Sequence, residues 1–380
     1  MAQSYGDMLQ PALPKEMYVD SGHWEVERDR AIFGSWFCVG RLDELGLDID
    51  ERVAVVDVVG ESVLVTRDGE GQLHGAYNVC RHRGSQLIPH DPAQPAPAAS
   101  ATRALRCPYH SWTYTLGGAL LKAPHTQTLR EFDHTQFTLH PVAAQSWRGF
   151  CFVHLTPEQA TPLGDELAAI DARLQRYPLE HLVSGRRLVY DVGANYKVLA
   201  ENYNECYHCG PVHPELSRLV PAFAGGGQDL AWEQGIPHRE GAWTFTTTGT
   251  SSRRPFPGLN EHERTRHKGE LVHPNLFLSC SADHVAAYTL WPQAVDRTTV
   301  VCDLLFDGGE AARDDFDPDD AADLWDLVNR QDWAVCESVQ RGMRSRAYAQ
   351  GWFAPMEDAS ADIRRWLLPR LVPREGGSDG

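Results

Sequence analysis

Two short segments of the sequence each pair a cysteine with a histidine at a spacing suited to metal binding. Cys80 and His82 form the first pair, and Cys107 and His110 form the second. A thiolate and an imidazole one to three residues apart can bind one small metal centre from a single turn. Two such turns supply two sulfur and two nitrogen ligands. A structural zinc ion, or buried cysteines beside solvated histidines, would also explain these residues.

A denser group of metal-binding residue types occupies residues 201–214, ENYNECYHCGPVHP. On an α-helix, at about 100° per residue, Glu201, Glu205 and His208 share one narrow face. A Gly-Pro pair ends the predicted helix, and His213 follows on the next turn. Two imidazoles with a carboxylate before the first could be part of a metal site. Taken alone, the segment also fits solvated helix-surface pairs, a zinc-binding or redox-active Cys-x-x-Cys, or core tyrosines.

A third ligand is expected where a carboxylate lies among apolar residues. Residues 319–347 predict a long C-terminal helix, and its apolar stripe consists of Leu324, Val328, Val335 and Val339. Asp332 falls about 40° from Val328, inside that stripe. A carboxylate there is costly unless a cation pairs with it. With His208 and His213 it would complete a 2-His-1-carboxylate triad, which binds Fe(II) and leaves positions open for O₂.

The elements that must hold these residues differ along the chain. Residues 36–155 contain short apolar runs broken by Gly, Asp and Pro, and the hairpin turn at 67–71 predicts an all-β module. Residues 90–103 form a Pro/Ala-rich solvated insertion in it. A helix begins after Thr161 and Pro162. Later strands are predicted at 186–192, 242–249, 275–280, 284–291 and 298–306, the last three as an antiparallel meander.

Composition excludes several classes of protein. Lys and Arg total 35 against 52 Asp and Glu, so the net charge is 35 − 52 = −17. An acidic chain is a poor partner for nucleic acid or for anionic membranes. There is neither an apolar run of membrane-spanning length nor a signal peptide. Nine cysteines are too few and too odd in number for a disulfide scaffold. We therefore expect a soluble, cytoplasmic, metal-using protein.

The Cys/His loops resemble the two cluster-binding loops of Rieske iron–sulfur proteins. They read CRHRG at 80–84 and CPYHSW at 107–112. The resemblance implies that Cys80 and Cys107 bind one iron of a [2Fe–2S] cluster. His82 and His110 would bind the other iron. The gap between the loops is longer than is usual in that family, and the Pro/Ala-rich insertion accounts for the excess.

The whole arrangement, from Trp36 to about Arg346, is similar to the Rieske mononuclear-iron oxygenases. That resemblance implies a terminal oxygenase with a Rieske [2Fe–2S] cluster and a mononuclear Fe(II). It further implies that Glu205, where ring-hydroxylating dioxygenases usually carry Asp, relays electrons between the metal centres. Asn202 matches an asparagine near the iron in that family. Cys206 and Cys209 match no metal ligand, and we interpret them as packing residues.

The resemblance also implies an α+β fold and a partner. Residues 1–35 would be an N-terminal segment packed on the catalytic domain, 36–156 an all-β Rieske domain, and 157–380 the catalytic domain, with an antiparallel sheet and helices of the helix-grip type. A homotrimer is implied, with each cluster beside the next subunit's iron. The chain lacks a G-x-G-x-x-G motif and plant-type ferredoxin cysteines. We therefore expect a separate NAD(P)H-dependent flavin/iron–sulfur reductase to supply electrons.

The substrate class is suggested by residues 205–217, ECYHCGPVHPELS. They resemble the branch that oxidises quaternary ammonium compounds, such as carnitine monooxygenase and glycine-betaine demethylase. That resemblance implies N-methyl oxidation or C–N cleavage. Aromatic faces bind such cations, and the candidates on the predicted strands are Trp243, Phe277, Tyr288 and Trp291. The polar loop 251–270 could cap the pocket.

Two alternative functions stay open at this point. The same aromatic side chains would suit a flat arene, so an aromatic ring-hydroxylating mono- or dioxygenase is the first alternative. The second is a Rieske electron carrier whose C-terminal domain is not catalytic. His208, His213 and Asp332 argue against the carrier, because a protein without catalysis has no use for an open iron site.

Overall fold

The computed structural model describes residues 8–91, 97–227 and 230–372. The chain forms two compact units, Ile32–Glu166 and a second unit that joins the described residues up to Ala31 to those from Leu167 onward. Residues 92–96 of the predicted 90–103 insertion lie outside the described residues. Within the described part of the chain, no helix is both long and apolar enough to cross a membrane.

The strands belong to four antiparallel sheets of the described residues. In chain order they are β1 (Gln10–Pro14), β2 (Phe37–Arg41), β3 (Arg52–Val58), β4 (Glu61–Arg67), β5 (Leu73–Tyr77), β6 (Ser100–Ala101), β7 (Leu105–Arg106), β8 (Thr113–Tyr114), β9 (Leu120–Lys122), β10 (Pro141–Trp147), β11 (Phe150–His154), β12 (Leu182–Val192), β13 (Ile236–Pro237), β14 (Arg266–Val272), β15 (Leu276–Cys280), β16 (His284–Ala294), β17 (Arg297–Asp307) and β18 (Gln350–Phe353).

The α-helices lie almost entirely in the second unit. They are α1 (Glu16–Val19), α2 (Ser21–Glu27), α3 (Leu163–Arg173), α4 (Tyr196–Tyr203), α5 (Cys209–Val212), α6 (Pro214–Leu219), α7 (Gly308–Ala311), α8 (Asp319–Met343) and α9 (Asp362–Leu371). Helix α3 begins directly after Thr161 and Pro162, as predicted. The long C-terminal helix, α8, ends at Met343 rather than at residue 347.

The first unit is all-β, as the alternating apolar runs predict. Its seven-stranded sheet has the order β2-β11-β10-β5-β4-β3-β6, and a small sheet is formed by β7-β8-β9. The predicted turn at 67–71 joins β4 to β5, whose residues Arg67 and Leu73 pair across the hairpin. The first cluster loop follows β5, and the second joins β7 to β8. The second Cys/His loop therefore lies on a tight connection between paired strands, whereas the first lies in the longer segment between β5 and β6.

The second unit is built on a six-stranded sheet of order β12-β17-β16-β15-β14-β13. The predicted antiparallel meander is confirmed, because β15 pairs with β16 and β16 with β17. Helix α8 packs on α4 and β12. With the all-β first unit, this antiparallel sheet and its helices confirm the α+β class. The strands β1 and β18, from the two ends of the chain, pair with each other.

Two predicted segments differ from the structure. Residues 242–249 form turns rather than a strand, because threonine hydroxyls bond to their own loop: Thr246 Oγ1 donates to the Thr250 carbonyl at 2.8 Å. Gly249 has a φ of +83°, which an extended strand does not allow. The predicted polar loop 251–270 ends earlier than expected, because β14 begins at Arg266.

Candidate active site

The two predicted cluster loops fold into matching turns. In each, the cysteine N–H donates to the carbonyl of the residue five positions on, at 2.8 Å. Cys80 and Cys107 are buried, whereas His82 is exposed and His110 half-buried. The turns thus place both thiols inside and both imidazoles toward the surface.

The four side chains fit a Rieske cluster. The thiols of Cys80 and Cys107 contact each other, and the rings of His82 and His110 are 4.6 Å apart between centroids. Burial raises the pKa of the Cys107 thiol, but hydrogen bonds from the Tyr109 and His110 N–H groups and from the Cys80 and Ser85 side chains together lower it, which favours the thiolate that binds metal. Burial raises the pKa of the Cys80 thiol above its ordinary value. Nδ1 of His110 is buried without a hydrogen-bond partner among the described residues, as expected of a nitrogen that needs a metal.

Aromatic side chains that the sequence did not single out hold these loops. The Tyr114 hydroxyl lies 3.3 Å from Cys80 Sγ. The Trp112 ring stacks on His82, with 5.0 Å between centroids and 7° between planes. Phe132 and Phe137 pack edge-on against the same Trp112 ring. These contacts restrict the imidazole that faces solvent.

The second constellation lies on a turn, not on one helix. Helix α4 ends at Tyr203, with Asn204 as its C-cap, so the predicted helix through His208 is wrong. The Glu205 carboxylate accepts hydrogen bonds from two backbone N–H groups of the following turn, and these bonds replace the next helical turn. Gly210 and Pro211 do not end a helix but lie inside α5, where proline is tolerated because the first turn needs no N–H donor.

The turn nevertheless brings the predicted iron ligands together. His208, His213 and Asp332 each offer one ligand atom, and these atoms lie within 4.8 Å of one another. Asp332 Oδ1 is 2.9 Å from His213 Nε2 and 3.2 Å from His208 Nε2. His213 is buried, and the other two are partly buried. Two imidazole nitrogens and one carboxylate oxygen are the donor set of a non-haem Fe(II) site.

Electrostatics favour a cation at this point. Burial lowers the pKa of His208, but Asp332 and Glu205 outweigh burial and raise it to about 10. Burial raises the pKa of Asp332, yet its hydrogen bonds to His208 and His213 bring it below its ordinary value. Both shifts show that the carboxylates attract positive charge here. A divalent metal ion supplies that charge and releases the proton from the imidazole, so the residues fit Fe(II).

Two further side chains orient the imidazoles, and a third lies beside the ligand atoms. Glu205 Oε1 lies 2.5 Å from His208 Nδ1, and Gln331 Oε1 lies 2.7 Å from His213 Nδ1. Each contact leaves the opposite nitrogen, Nε2, for the metal. Asn202 Nδ2 is 3.3 Å from His208 Nε2, beside the ligand set, as its predicted position requires. Sequence reasoning missed Gln331, whose signal was only its place next to the carboxylate on α8.

Glu201 and Val339 do not lie where the predicted helical faces place them. Glu201 does not join the triad, because its Oε1 accepts a hydrogen bond from the Tyr18 hydroxyl at 2.5 Å. Val339 of the predicted stripe is 39% exposed, and the buried face of α8 continues instead through Cys336 and Gln340. These two follow Asp332 at intervals of four, so the carboxylate still faces the interior.

Cys206 and Cys209 form a disulfide, with 4.8 Å between their Cα atoms. The packing interpretation was therefore incomplete, although both residues are buried. The bond closes the turn that carries Glu205 and His208. The other cysteines of the described residues form no disulfide and are buried.

A cavity of about 460 Å³ opens beside the triad, within the second unit. Its aromatic lining consists of Tyr203, Phe223, Trp232, Phe245, Phe277, Tyr288, Trp325 and Trp333. Phe277 and Tyr288, two of the predicted aromatics, pair across β15 and β16. Trp243 and Trp291 are not among its lining residues in the described chain. Trp243 lies in the turns that replace a predicted strand, and Trp291, three residues after Tyr288, points to the opposite face of β16.

The cavity carries more negative than positive charge. Besides the carboxylates near the triad, it is lined by Glu233 and Glu270. Arg173 is the one Lys or Arg among the lining residues of the described chain, and Glu270 binds its guanidinium through Nε at 2.6 Å and Nη2 at 2.7 Å. The charges of Arg173 and Glu270 cancel each other. The remaining lining carboxylates favour a cationic ligand.

Two known families match separate parts of the chain. The family described as ring hydroxylating alpha subunit (catalytic domain) matches residues 179–371. The Rieske [2Fe–2S] domain family matches residues 35–133.

Individual relatives cover nearly the whole chain. The chain is 28% identical to the glycine betaine monooxygenase oxygenase subunit of Pseudomonas aeruginosa, over 98% of this chain and 96% of the relative. It is 29% identical to the carnitine monooxygenase oxygenase subunit of Escherichia coli, over 92% and 88%. Among solved structures, the quaternary ammonium Rieske monooxygenase CntA in complex with L-carnitine superposes with a TM-score of 0.70 at 25% identity, covering 97% of each chain.

Proposed function

This chain belongs to the ring-hydroxylating alpha-subunit family, and we propose that it oxidises an N-methyl group of a small quaternary ammonium compound such as glycine betaine or carnitine. It is a Rieske non-haem iron oxygenase that contains a [2Fe–2S] cluster and a mononuclear iron. The observation that carries the proposed substrate class is the cavity. It has aromatic walls and excess negative charge, and it borders the triad directly.

The aromatic walls fit a trimethylammonium group. Tyr203 stacks on Phe277 with 4.7 Å between ring centroids, and Tyr288 lies 6.1 Å from Tyr203 in an edge-on arrangement. A cation over such faces gains electrostatic attraction that grows as water is removed. The same three residues line the cavity that Asn202 and His208 also line. A methyl group of the bound cation can therefore face the triad.

The residues of the triad have separate tasks. His208, His213 and Asp332 would hold Fe(II), which, when bound, supplies O₂ activation. Glu205 and Gln331 hold the two imidazoles in the tautomer that leaves Nε2 free for the metal. The aromatic walls position the methyl group and exclude water from it.

The overall chemistry balances. Hydroxylation of one N-methyl group consumes O₂, two electrons and two protons, and yields N–CH₂OH and water. The hydroxymethyl ammonium then breaks its C–N bond and releases formaldehyde, a proton and the tertiary amine. C–N cleavage at another carbon would release trimethylamine instead.

The supply of electrons to this reaction requires a second protein. A separate reductase supplies them, since the relatives are oxygenase subunits of multicomponent enzymes. We further propose that this reductase is an NAD(P)H-dependent flavin/iron–sulfur protein and that the oxygenase acts in the cytoplasm. We propose a homotrimer in which the cluster held by Cys80, His82, Cys107 and His110 delivers electrons to a neighbouring subunit's iron through Glu205.

A single-turnover experiment tests the substrate class. The anaerobically reduced, iron-replete protein is mixed with O₂ and with glycine betaine, carnitine or benzoate, and formaldehyde, trimethylamine and hydroxylated arene are assayed separately. We expect formaldehyde or trimethylamine from an ammonium compound. Hydroxylated benzoate with neither of those products would contradict the proposal and identify a ring hydroxylase.

A further inference from the structure

His267 is a buried side chain of the cavity wall that the mechanism above does not use. It lies on β14, is 5% exposed and lines the cavity. Its ring stacks on Phe245 with 4.0 Å between centroids and 23° between planes. Trp325 packs next to both rings, 6.0 Å from His267 and 5.2 Å from Phe245.

The polar atoms of this ring lack partners. Nδ1 of His267 is buried without a hydrogen bond among the described residues. The packing of the ring on Phe245 and Trp325 seals this nitrogen at the cost of one unmade hydrogen bond. Burial lowers the pKa of His267 well below its ordinary value, and His238 and His284 lower it further. The ring is therefore neutral, with one N–H donor and one bare nitrogen.

The burial of Nδ1 indicates which of the two ring nitrogens of His267 carries the proton. A buried N–H without an acceptor is rarer than a buried acceptor without a donor. The tautomer with its proton on Nε2 is therefore favoured, and Nε2 is the nitrogen of this cavity-lining ring that remains available to a ligand. A neutral N–H donor on a cavity wall recognises a hydrogen-bond acceptor on the ligand.

We propose that His267 is a specificity-determining residue whose Nε2–H donates to the carboxylate of a zwitterionic quaternary ammonium substrate. The inference rests on the proposed function and narrows it, because simple cations such as tetramethylammonium lack that acceptor. The two ends of such a substrate meet different walls. The cation lies at Tyr203, Phe277 and Tyr288, and the carboxylate lies toward His267 and Trp325.

The two walls adjoin each other. Tyr288 and Trp325 are edge-on neighbours with 6.2 Å between ring centroids, so the aromatic wall is continuous from one end to the other. Arg173 is the competing candidate for the carboxylate. Glu270 already engages two of its nitrogens, and Nη1 lies 3.9 Å from Glu233. A third carboxylate there would approach two existing ones.

Binding to paired ligands tests the inference. Dissociation constants of glycine betaine and tetramethylammonium are measured by calorimetry on anaerobic, iron-loaded protein. In the wild type, glycine betaine should bind more tightly. The His267→Phe variant keeps the stack on Phe245 but loses the N–H, and should weaken glycine betaine by about tenfold or more with little change for tetramethylammonium. The His267→Gln variant, which retains an N–H, should recover part of the loss.

His238 provides a matched control. Its ring also packs on Phe245, 5.4 Å between centroids, and both of its nitrogens lack partners within the described chain, but it is not among the cavity-lining residues. We expect His238→Phe to leave the ratio of the two dissociation constants unchanged. Cluster absorbance and iron content verify that each variant is folded.

Other results would overturn the inference. It is wrong if His267→Phe weakens both ligands equally, or if Arg173→Gln rather than His267→Phe removes the preference for glycine betaine. A wild type that binds both ligands equally well contradicts this inference alone. A wild type that binds neither contradicts the proposed function, and this inference with it.

Discussion

Gln331 lies outside the predicted ligand set but contacts one of its imidazoles. Its carbonyl oxygen lies 2.7 Å from His213 Nδ1, and its amide reaches Glu215 at 3.4 Å. We predict that Gln331→Leu lowers the affinity of the apo-protein for Fe(II) by about tenfold, because the imidazole loses the acceptor that orients it. Anaerobic titration with Fe(II) measures this affinity directly.

Gln331→Glu is the matched variant, because it keeps an acceptor at the same place. It should bind Fe(II) at least as tightly as the wild type, since a carboxylate acceptor makes the imidazole a stronger ligand. Equal affinities in all three proteins would show that His213 is held by packing alone.

The Glu205 carboxylate contacts both a predicted iron ligand and the backbone of its own turn. It contacts His208 Nδ1 at 2.5 Å and closes the turn through backbone N–H groups. We predict that Glu205→Ala, loaded with saturating Fe(II), retains the cluster and the iron while turnover falls by about 100-fold, because the route to the iron is interrupted. Iron analysis, cluster spectra and steady-state rates separate these effects. The control variant Glu337→Ala removes a different carboxylate, on α8, and should leave turnover unchanged.

A Glu205→Ala protein with both metal centres and near-normal turnover would rule out the relay role. A protein that has lost its iron would show instead that Glu205 acts chiefly on His208. Either result leaves the Rieske loops unaffected, because they lie in the other unit.

Sequence reasoning named the candidate ligands and their neighbours Glu205 and Asn202, but it missed other groups around them. Asp332 was found because a carboxylate in an apolar stripe has a physical cost, which is visible in periodicity. Gln331 and His267 carry no such signal. An amide beside a helix stripe is ordinary, and His267 has meaning only once β14 places it on the cavity wall.

At the scale of elements, α4 is tied to the N-terminal helices by buried polar contacts. The Tyr18 hydroxyl of α1 donates to Glu201, and Lys197 forms an ion pair with Glu27 of α2 at 2.9 Å, with both side chains almost fully buried. Burial raises the pKa of Glu201 to about 8, although Tyr18 and Lys197 oppose the rise. The carboxyl group is therefore protonated in the folded protein at neutral pH.

The raised pKa predicts a pH-dependent stability. In the unfolded chain Glu201 ionises near its ordinary value of 4.5, so its contribution is fully present below that pH and is lost as the pH rises toward 8. Glu201→Gln cannot ionise. Going from pH 5 to pH 8, we expect the wild type to lose stability relative to this variant, as measured by the urea midpoint of unfolding.

Glu25→Gln, at an exposed position of α2, controls for general charge effects and should follow the wild type at both pH values. If wild type and Glu201→Gln respond identically to pH, Glu201 is ionised in the folded protein, and burial does not dominate its environment.

Elements were predictable where side-chain pattern alone decides them. The meander of β15, β16 and β17 follows from β-branched and apolar runs separated by turns. The end of α4 was not predictable, because it depends on Glu205 bonding to backbone N–H groups. The predicted strand at 242–249 failed for the same reason: threonine hydroxyls compete with the strand ladder for backbone partners.

For the whole molecule, the decisive fact is that the two metal sites belong to different units. The Cys/His loops lie within Ile32–Glu166, and the triad lies in the unit that continues from Leu167. Electrons must pass from one unit to the other. The proposed trimer makes that transfer a step between subunits, which co-expression of two inactive variants can test.

His82→Ala should lack the cluster, and Asp332→Ala should lack the iron, so each homotrimer should be inactive. Co-expression of both should form mixed trimers in which an intact cluster adjoins an intact iron at some interfaces. With random assortment, about one quarter of all subunit interfaces join an intact cluster to an intact iron. We therefore expect about one quarter of wild-type activity per trimer. Mixing the two purified proteins without subunit exchange is the control and should give none. Mixed trimers that stay inactive, although mass analysis shows both subunits, would place electron transfer within one chain, where neither variant has a complete path.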